Sequence, residues 1–170
     1  LLQKLYVMEI YKKRTGFTEN KQSNSYFQLV AAEKDKKVIG LENVDQQIKI
    51  LYGNGTLERQ ADMLVETIQQ KDRILAEMIQ LNKLYKAGKI EELIDLSKGK
   101  GNTTDMTEEE YSKFVDNRNT DWMTKLPALL RESPCFISVD ALHLGGKHGL
   151  IQQLEKAGYK VKAVEKTPNL

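Results

Sequence analysis

From Val44 to about Lys98 the apolar residues return every third or fourth position, as in Leu57, Ala61, Leu64 and Ile68 and again in Leu75, Met78 and Ile79. That period fits the helical turn and not the two-residue repeat of a strand, so this stretch is expected to pack as several antiparallel helices. Gly53, Gly55 and Gly88 punctuate it. With 40% hydrophobic and 29% charged side chains in 170 residues, the chain has the apolar surface for a core, and one domain over residues 1–170 is expected. A net charge of only +2, with lysines interleaved among acids, leaves no concentrated basic face for a phosphate backbone. A nucleic-acid partner is therefore not expected. The lone Cys135 excludes an internal disulfide framework and, without paired Cys or His at finger spacing, a zinc knuckle. No apolar run approaches the roughly 20 residues of a membrane span, and no leader pattern is present. The chain opens on Leu1 and Leu2 rather than Met, already within a helix, which leads one to expect an excised segment or a processed product with a segment missing upstream; an oligomer is the alternative expectation for its partners.

Around this helical stretch the pattern changes. Residues 1–14 set Leu1, Leu2, Leu5 and Met8 on one face against Lys4, Lys12 and Lys13, an amphipathic helix. Thr15 to Ser25 reads as a loop, with Ser23 or Asn24 capping a helix that reaches Glu33 to Lys36. Gly99 to Asn102 opens a loop that ends in Thr107 followed by Glu110, the spacing of a capping box. A further amphipathic and exposed helix carries Arg118, Asn119, Trp122 and Met123 towards Leu129 and Leu130. Three short apolar runs read as strands: Val38-Ile39-Gly40-Leu41-Glu42, Cys135-Phe136-Ile137-Ser138-Val139, and Tyr159 to Val164. A helix from about Leu150 to Ala157, ended by Gly158, joins the last two as a right-handed parallel crossover. The expected fold is thus α/β, helix-rich, with a small mostly parallel sheet and several packed helices.

If the first two strands lie parallel, Glu42 at the end of one and Asp140 with His143 just past the end of the other meet at a single sheet edge, where ligands of open α/β sheets bind. A carboxylate and an imidazole so placed suit a divalent metal, or a base and its orienting partner. Charged residues also follow buried strands as ordinary solvated turn residues, so on pattern alone Glu42 and His143 support both readings. His148, in a glycine-flanked loop, reads as a solvated loop residue or the start of the next helix. Gly145 to Gly149 either cradles an anion on backbone N–H groups or simply turns the chain into the next helix, and its spacing matches no nucleotide-binding motif. Arg118 alone reads as a surface ion-pair partner, and Trp122 and Met123 as core.

Taken together, Val38 to Glu42 with Gln46-Gln47, the multi-helix insertion at about 56–132, Arg118-Asn119 with Trp122-Met123, and Val139-Asp140-Ala141-Leu142-His143-Leu144 with Gly149-Leu150 resemble one family. They are similar to the second part of the TraB/GumN family, which includes the Tiki-type metalloproteases, and the resemblance runs from about Leu1 to Val164. It implies a metal-dependent, peptidase-like hydrolase with two Gly-x-x-His motifs, of which His143 matches the second. Glu42 matches a characteristic acid, ligand or base, and Arg118-Asn119 a pair that supports the site or binds substrate. By this analogy Mn, Co or Zn would be held by His143, Glu42 and Asp140, with Glu42, Arg118 and Asn119 as the catalytic group and a peptide or protein as substrate. An extracytoplasmic or membrane-associated setting is implied as well. Asp140 stands where the family has the motif glycine, and the first Gly-x-x-His is not in this chain, so the site is expected to be incomplete. The alternative is a non-catalytic binding or signalling module on the same scaffold.

Overall fold

The computed structural model describes residues 2–17, 23–52, 56–99, 102 and 105–164. Helix α1 (Leu2–Thr15) packs against α4 (Leu57–Gln69) and α5 (Lys71–Lys86), while α2 (Ser23–Glu33) and α3 (Val44–Tyr52) lie between them in sequence. Leu1, Gly53, Gly55, Lys100 and Gly101 lie outside the described residues. Helix α1 turns Tyr11 inward, half-buries Met8 and leaves Leu5 of the expected apolar stripe more than half exposed. The α4 to α5 corner is pinned by Arg73, which pairs with Glu66 at 3.1 Å and Glu77 at 2.9 Å. Gly88, at φ +68°, lets α5 turn sharply into α6 (Ile90–Ser97), a conformation that side chains with a Cβ rarely adopt.

Thr107 and Glu110 form the expected capping box, reciprocally bonded at 3.1 and 2.8 Å, and start α7 (Glu108–Tyr111). Arg59 of α4 grips the same Glu110 through two bonds of 2.7 Å and so ties the N-terminal helices to this one. α7 continues through a π-helical turn (Ser112–Asp116) into α8 (Asn117–Met123), the Asn117 N–H reaching back to the Ser112 carbonyl. After α9 (Leu126–Glu132) comes a 3-10 turn (Ala141–His143), and then α10 (Leu150–Lys156), which packs on α8.

No strand and no sheet occur among the described residues, which overturns the expected α/β architecture, its parallel crossover and its ligand-binding edge. Only the helix-rich half of that expectation holds. The three apolar runs at 38–42, 135–139 and 159–164 are present as irregular chain. A strand exists only by pairing its N–H and C=O groups with a neighbour, which local composition cannot guarantee. What these runs contribute is side chains: Leu41, Ile137 and Val139 pack on Trp122, Leu126 and Leu150, one of two apolar clusters. The other joins Ile94, Tyr111 and Val115 with Ile90, Met106, Phe114 and Leu142. Val38, Ile39, Phe136 and Val164 remain exposed.

Candidate functional site

Between the two apolar clusters lies a polar one, organised by α8. The π turn inserts one extra residue per turn just ahead of Arg118 and so changes the direction in which Arg118, Asn119 and Trp122 point. Arg118 and Trp122, four apart on α8, share a face, with the guanidinium 5.0 Å from the centre of the Trp122 ring. Glu42 is delivered by the 38–42 segment, which stops at Asn43 because Asn43 and Gln46 cap α3 reciprocally, at 2.9 and 2.8 Å. Lys125 holds that segment by donating to the Leu41 carbonyl at 2.7 Å. His143 arrives on the 3-10 turn.

Arg118 donates to both carboxylate oxygens of Glu42, through Nε at 2.6 Å and Nη2 at 3.0 Å. The Trp122 indole N–H adds a third bond to Glu42 at 3.0 Å. The Glu42 side chain is 6% exposed and that of Arg118 is 20% exposed, so the pair is largely withdrawn from water. Burial by itself would raise the Glu42 pKa, but the hydrogen bonds and charge of Arg118, with help from Trp122 and Gln47, outweigh it and hold the carboxyl below its ordinary value. Arg118 Nη1 also bonds the Phe114 carbonyl of the π turn at 3.0 Å and approaches His143 Nε2 at 3.2 Å.

That last contact fixes the chemistry of His143. A guanidinium only donates, so Nε2 must accept and the ring proton sits on Nδ1. Nδ1 lies 2.7 Å from Asn119 Oδ1, which takes that proton's hydrogen bond. Asn119, fully buried, uses its amide to donate to the His143 and His148 carbonyls at 3.2 and 2.9 Å. His143 is 3% exposed and stacks on Trp122 with ring centres 4.4 Å apart. Burial first, and the Arg118 charge second, push its pKa down to about 4 against the weaker pulls of Asp140 and Glu42. The ring is neutral at physiological pH. Among the described residues no buried side-chain N or O is left without a partner.

A family model matches residues 1–163, which include every member of this cluster; its family is TraB/PrgY/gumN. The chain belongs to that family. No curated protein and no solved structure matches.

The structure thus brings together Glu42, Arg118, Asn119 and His143, four residues for which the TraB resemblance implies a role, though no sheet edge assembles them. Arg118 and Asn119 are largely buried rather than on an exposed helix face. Asp140 does not join them at the guanidinium. It is exposed and stands at the N-cap position of the 3-10 turn at φ −67° and ψ 149°, backbone that any residue adopts, so Asp sits there without strain where the resemblance implies a glycine. The Gly145 to Gly149 stretch serves as the turn: Glu91 of α6 accepts from the Gly146 N–H at 3.0 Å, and a Cβ on Gly149 would collide with the Leu144 and Gly145 carbonyls. The Gly146 N–H is therefore already taken by a carboxylate.

Whether these donors suit the divalent metal that TraB resemblance implies can be tested on their geometry. Singly, His143 suits it well: a neutral imidazole whose Nδ1–H is bonded to Asn119 is how metal-ligating histidines are usually held. As a set the donors do not fit. Both Glu42 oxygens and the His143 lone pair face the Arg118 guanidinium, and no group of three His, Cys, Asp or Glu side chains suited to a metal occurs among the described residues. A catalytic centre needs about three protein ligands and an open position. Trp122, read from sequence as core, does lie in the core, and its indole bond to Glu42 is what that reading missed. Its place four residues after Arg118 was the signal, since that spacing superposes the two on a helix. A separate cavity of about 260 Å³, lined by Lys98, Met106, Glu108, Tyr111, Ser112 and Asp116, opens beside the π turn, and none of the cluster residues lines it.

Proposed function

We propose that this chain carries part of the site of a metal-dependent, peptidase-like hydrolase, as expected of a TraB relative. The observation that carries the reading is the bonded cluster itself: Glu42, Arg118 and Asn119, and His143 come from three segments far apart in sequence, and the cluster holds one imidazole neutral, its Nε2 accepting from Arg118. In this reading His143 Nε2 supplies the ligand or base, and Asn119 fixes its tautomer. Arg118, the cluster's only cation, supplies donors for the charge that develops on a substrate carbonyl oxygen. Glu42, kept ionised, orients Arg118. The substrate class is a peptide or protein. Incubation of the chain with peptides and Mn²⁺, Co²⁺ or Zn²⁺ tests this, with His143→Ala as the control. Cleavage that needs the added metal and disappears in the variant supports hydrolysis; peptide binding without cleavage, unchanged in the variant, overturns it.

A second reading, a binding or signalling module without chemistry, is favoured by the closure of the cluster, in which each buried polar atom is already paired. On that reading His143→Ala lowers stability and leaves partner binding intact.

No helix among the described residues is long and apolar enough to cross a membrane. The extracytoplasmic or membrane-associated setting remains part of the proposal.

A further inference from the structure

We propose that the cavity beside the π turn binds a small zwitterion, a free amino acid or a dipeptide, with its carboxylate on Lys98 and the Tyr111 hydroxyl and its ammonium group on Glu108 and Asp116. The site is separate from the cluster around Arg118 and does not rest on the hydrolase reading.

The cavity, of about 260 Å³, is built from three elements. Lys98 follows the last turn of α6, Met106 and Glu108 flank the capping residue Thr107, and Tyr111, Ser112 and Asp116 belong to the end of α7 and the π turn. The capping box and the Arg59 grip on Glu110 hold the second and third in place, and Ile94 of α6, packed with Tyr111, ties in the first.

Tyr111 is the residue that points to a ligand. It is only 6% exposed, yet its hydroxyl bonds to none of the described residues. Every sealed side-chain oxygen among the described residues has a partner, so this one is not sealed but opens on the cavity that Tyr111 lines. Burial first, and the Asp116 and Glu91 charges after it, push the phenol up to about 12, which keeps its proton available to donate. Lys98 Nζ stands 5.0 Å from the centre of the same ring. An ammonium only donates, so the group that satisfies Lys98 and the phenol together is an anionic acceptor such as a carboxylate. Glu108 and Asp116 make the opposite demand, and among the described residues neither they nor Lys98 has an ion-pair partner. Both signs in one cavity select a ligand that carries both, since a bare anion or a simple amine would meet charge of its own sign. Met106 adds an apolar wall. The volume lies below the roughly 300–1,000 Å³ of pockets for drug-sized molecules, which sets the ligand at the size of an amino acid or a dipeptide.

The test is calorimetric titration of the chain with leucine and glycyl-leucine, and with N-acetyl-leucine and leucinamide, which lack the ammonium and the carboxylate respectively. Saturable binding of leucine or glycyl-leucine is expected, the tighter of the two showing which kind of zwitterion the site takes. Each blocked form is expected to bind at least about ten-fold more weakly, the loss of one charged hydrogen-bonding group. Tyr111→Phe, which removes only the hydroxyl, is expected to weaken binding about three- to ten-fold, and Lys98→Gln about ten-fold, each with an unchanged circular dichroism spectrum. If Tyr111→Phe does not fold, Lys98→Gln and Asp116→Asn carry the comparison. Folded variants that bind as tightly as wild type overturn the site, and N-acetyl-leucine or leucinamide binding as tightly as leucine overturns the zwitterion. Absence of binding by both leucine and glycyl-leucine overturns the proposal outright.

Discussion

Two regions of the molecule are held together on opposite principles. Helices α1, α4 and α5 meet through side chains of which few are fully enclosed, chiefly Tyr11, Thr67 and Leu75, and they leave Leu5, Val65 and Ile68 about half exposed. Around α8 the centre is polar, with Asn119 and His143 buried beside Trp122, Leu126 and Leu150. Apolar contacts are non-directional, so the first region tolerates slack; a void of about 10 Å³ sits between α1, α4 and α5. Buried hydrogen bonds are directional and costly to leave half-made, so the second tolerates none. The difference implies that equal chemical insults should be felt unequally, most in the polar region.

The largest effect is expected at Glu42. Glu42→Ala leaves the Arg118 charge in a largely dry site without its bidentate partner, and breaking one side of such a pair costs on the order of 3–5 kcal/mol. Urea unfolding measures it. A loss below about 1 kcal/mol would show that water reaches the pair, and the contrast between the regions would then be far weaker than drawn here.

Acid should act on the same region next. The folded pKa of His143, about 4, lies below its ordinary 6.5, so between those values the unfolded chain binds the proton that the folded chain refuses. Stability is then fully present above about pH 6.5 and falls as pH drops towards 4, by up to about 3 kcal/mol. Glu42, also held below its ordinary value, adds a loss of the same sign at lower pH. Denaturation midpoints from pH 7.5 to 4.5 should show the slope in wild type and lose most of it in His143→Gln. Hydrogen exchange sharpens the comparison: on acidification α8 should lose protection before α4 and α5. Equal loss in both regions would mean that they unfold as one unit and that the polar cluster is not the weak point in acid.

In the apolar region a comparable deletion should cost less. Leu75→Ala removes a buried side chain at the void between α1, α4 and α5, where the surroundings can partly close. About 2 kcal/mol is expected, the low end for such substitutions. Arg59→Ala, which cuts the link from α4 to the capping box at Glu110, should cost about 1–2 kcal/mol and weaken whatever coupling the two regions have. A cost above that of Glu42→Ala at either position would invert the comparison.

How much of this the sequence disclosed follows the same division. The helices were legible because they satisfy their own backbone, so a local pattern such as Leu57 to Ile68, or Thr107 with Glu110, carries the needed information. The runs at 38–42 and 135–139 were not, because strand-like composition says nothing of whether a partner strand lies alongside. Of the candidate site, Glu42 and His143 are brought into one cluster through Arg118, which bonds both, and a helix with a π turn assembles them in place of the expected sheet edge. Nothing in Ser112 to Asp116 announces an extra residue in a turn. Trp122 lies in the core as expected, but its bond to Glu42 was not legible, since whether an indole N–H is buried against a partner depends on chain segments many positions away.

The smallest effect is expected at Asp140, where resemblance raised the greatest concern. Its backbone sits in an ordinary extended conformation and its side chain faces solvent, so Asp140→Gly relieves no strain and gains only chain entropy in the unfolded state. A cost of about 0.5–1 kcal/mol is expected, with no change in the bonds of His143. Asp140 is one of the two charges that pull the His143 pKa upward, so the glycine variant should leave His143 even harder to protonate, which NMR titration of the ring can follow. Stabilisation by Asp140→Gly, or a rise in the His143 pKa, would show that this aspartate strains the turn after all.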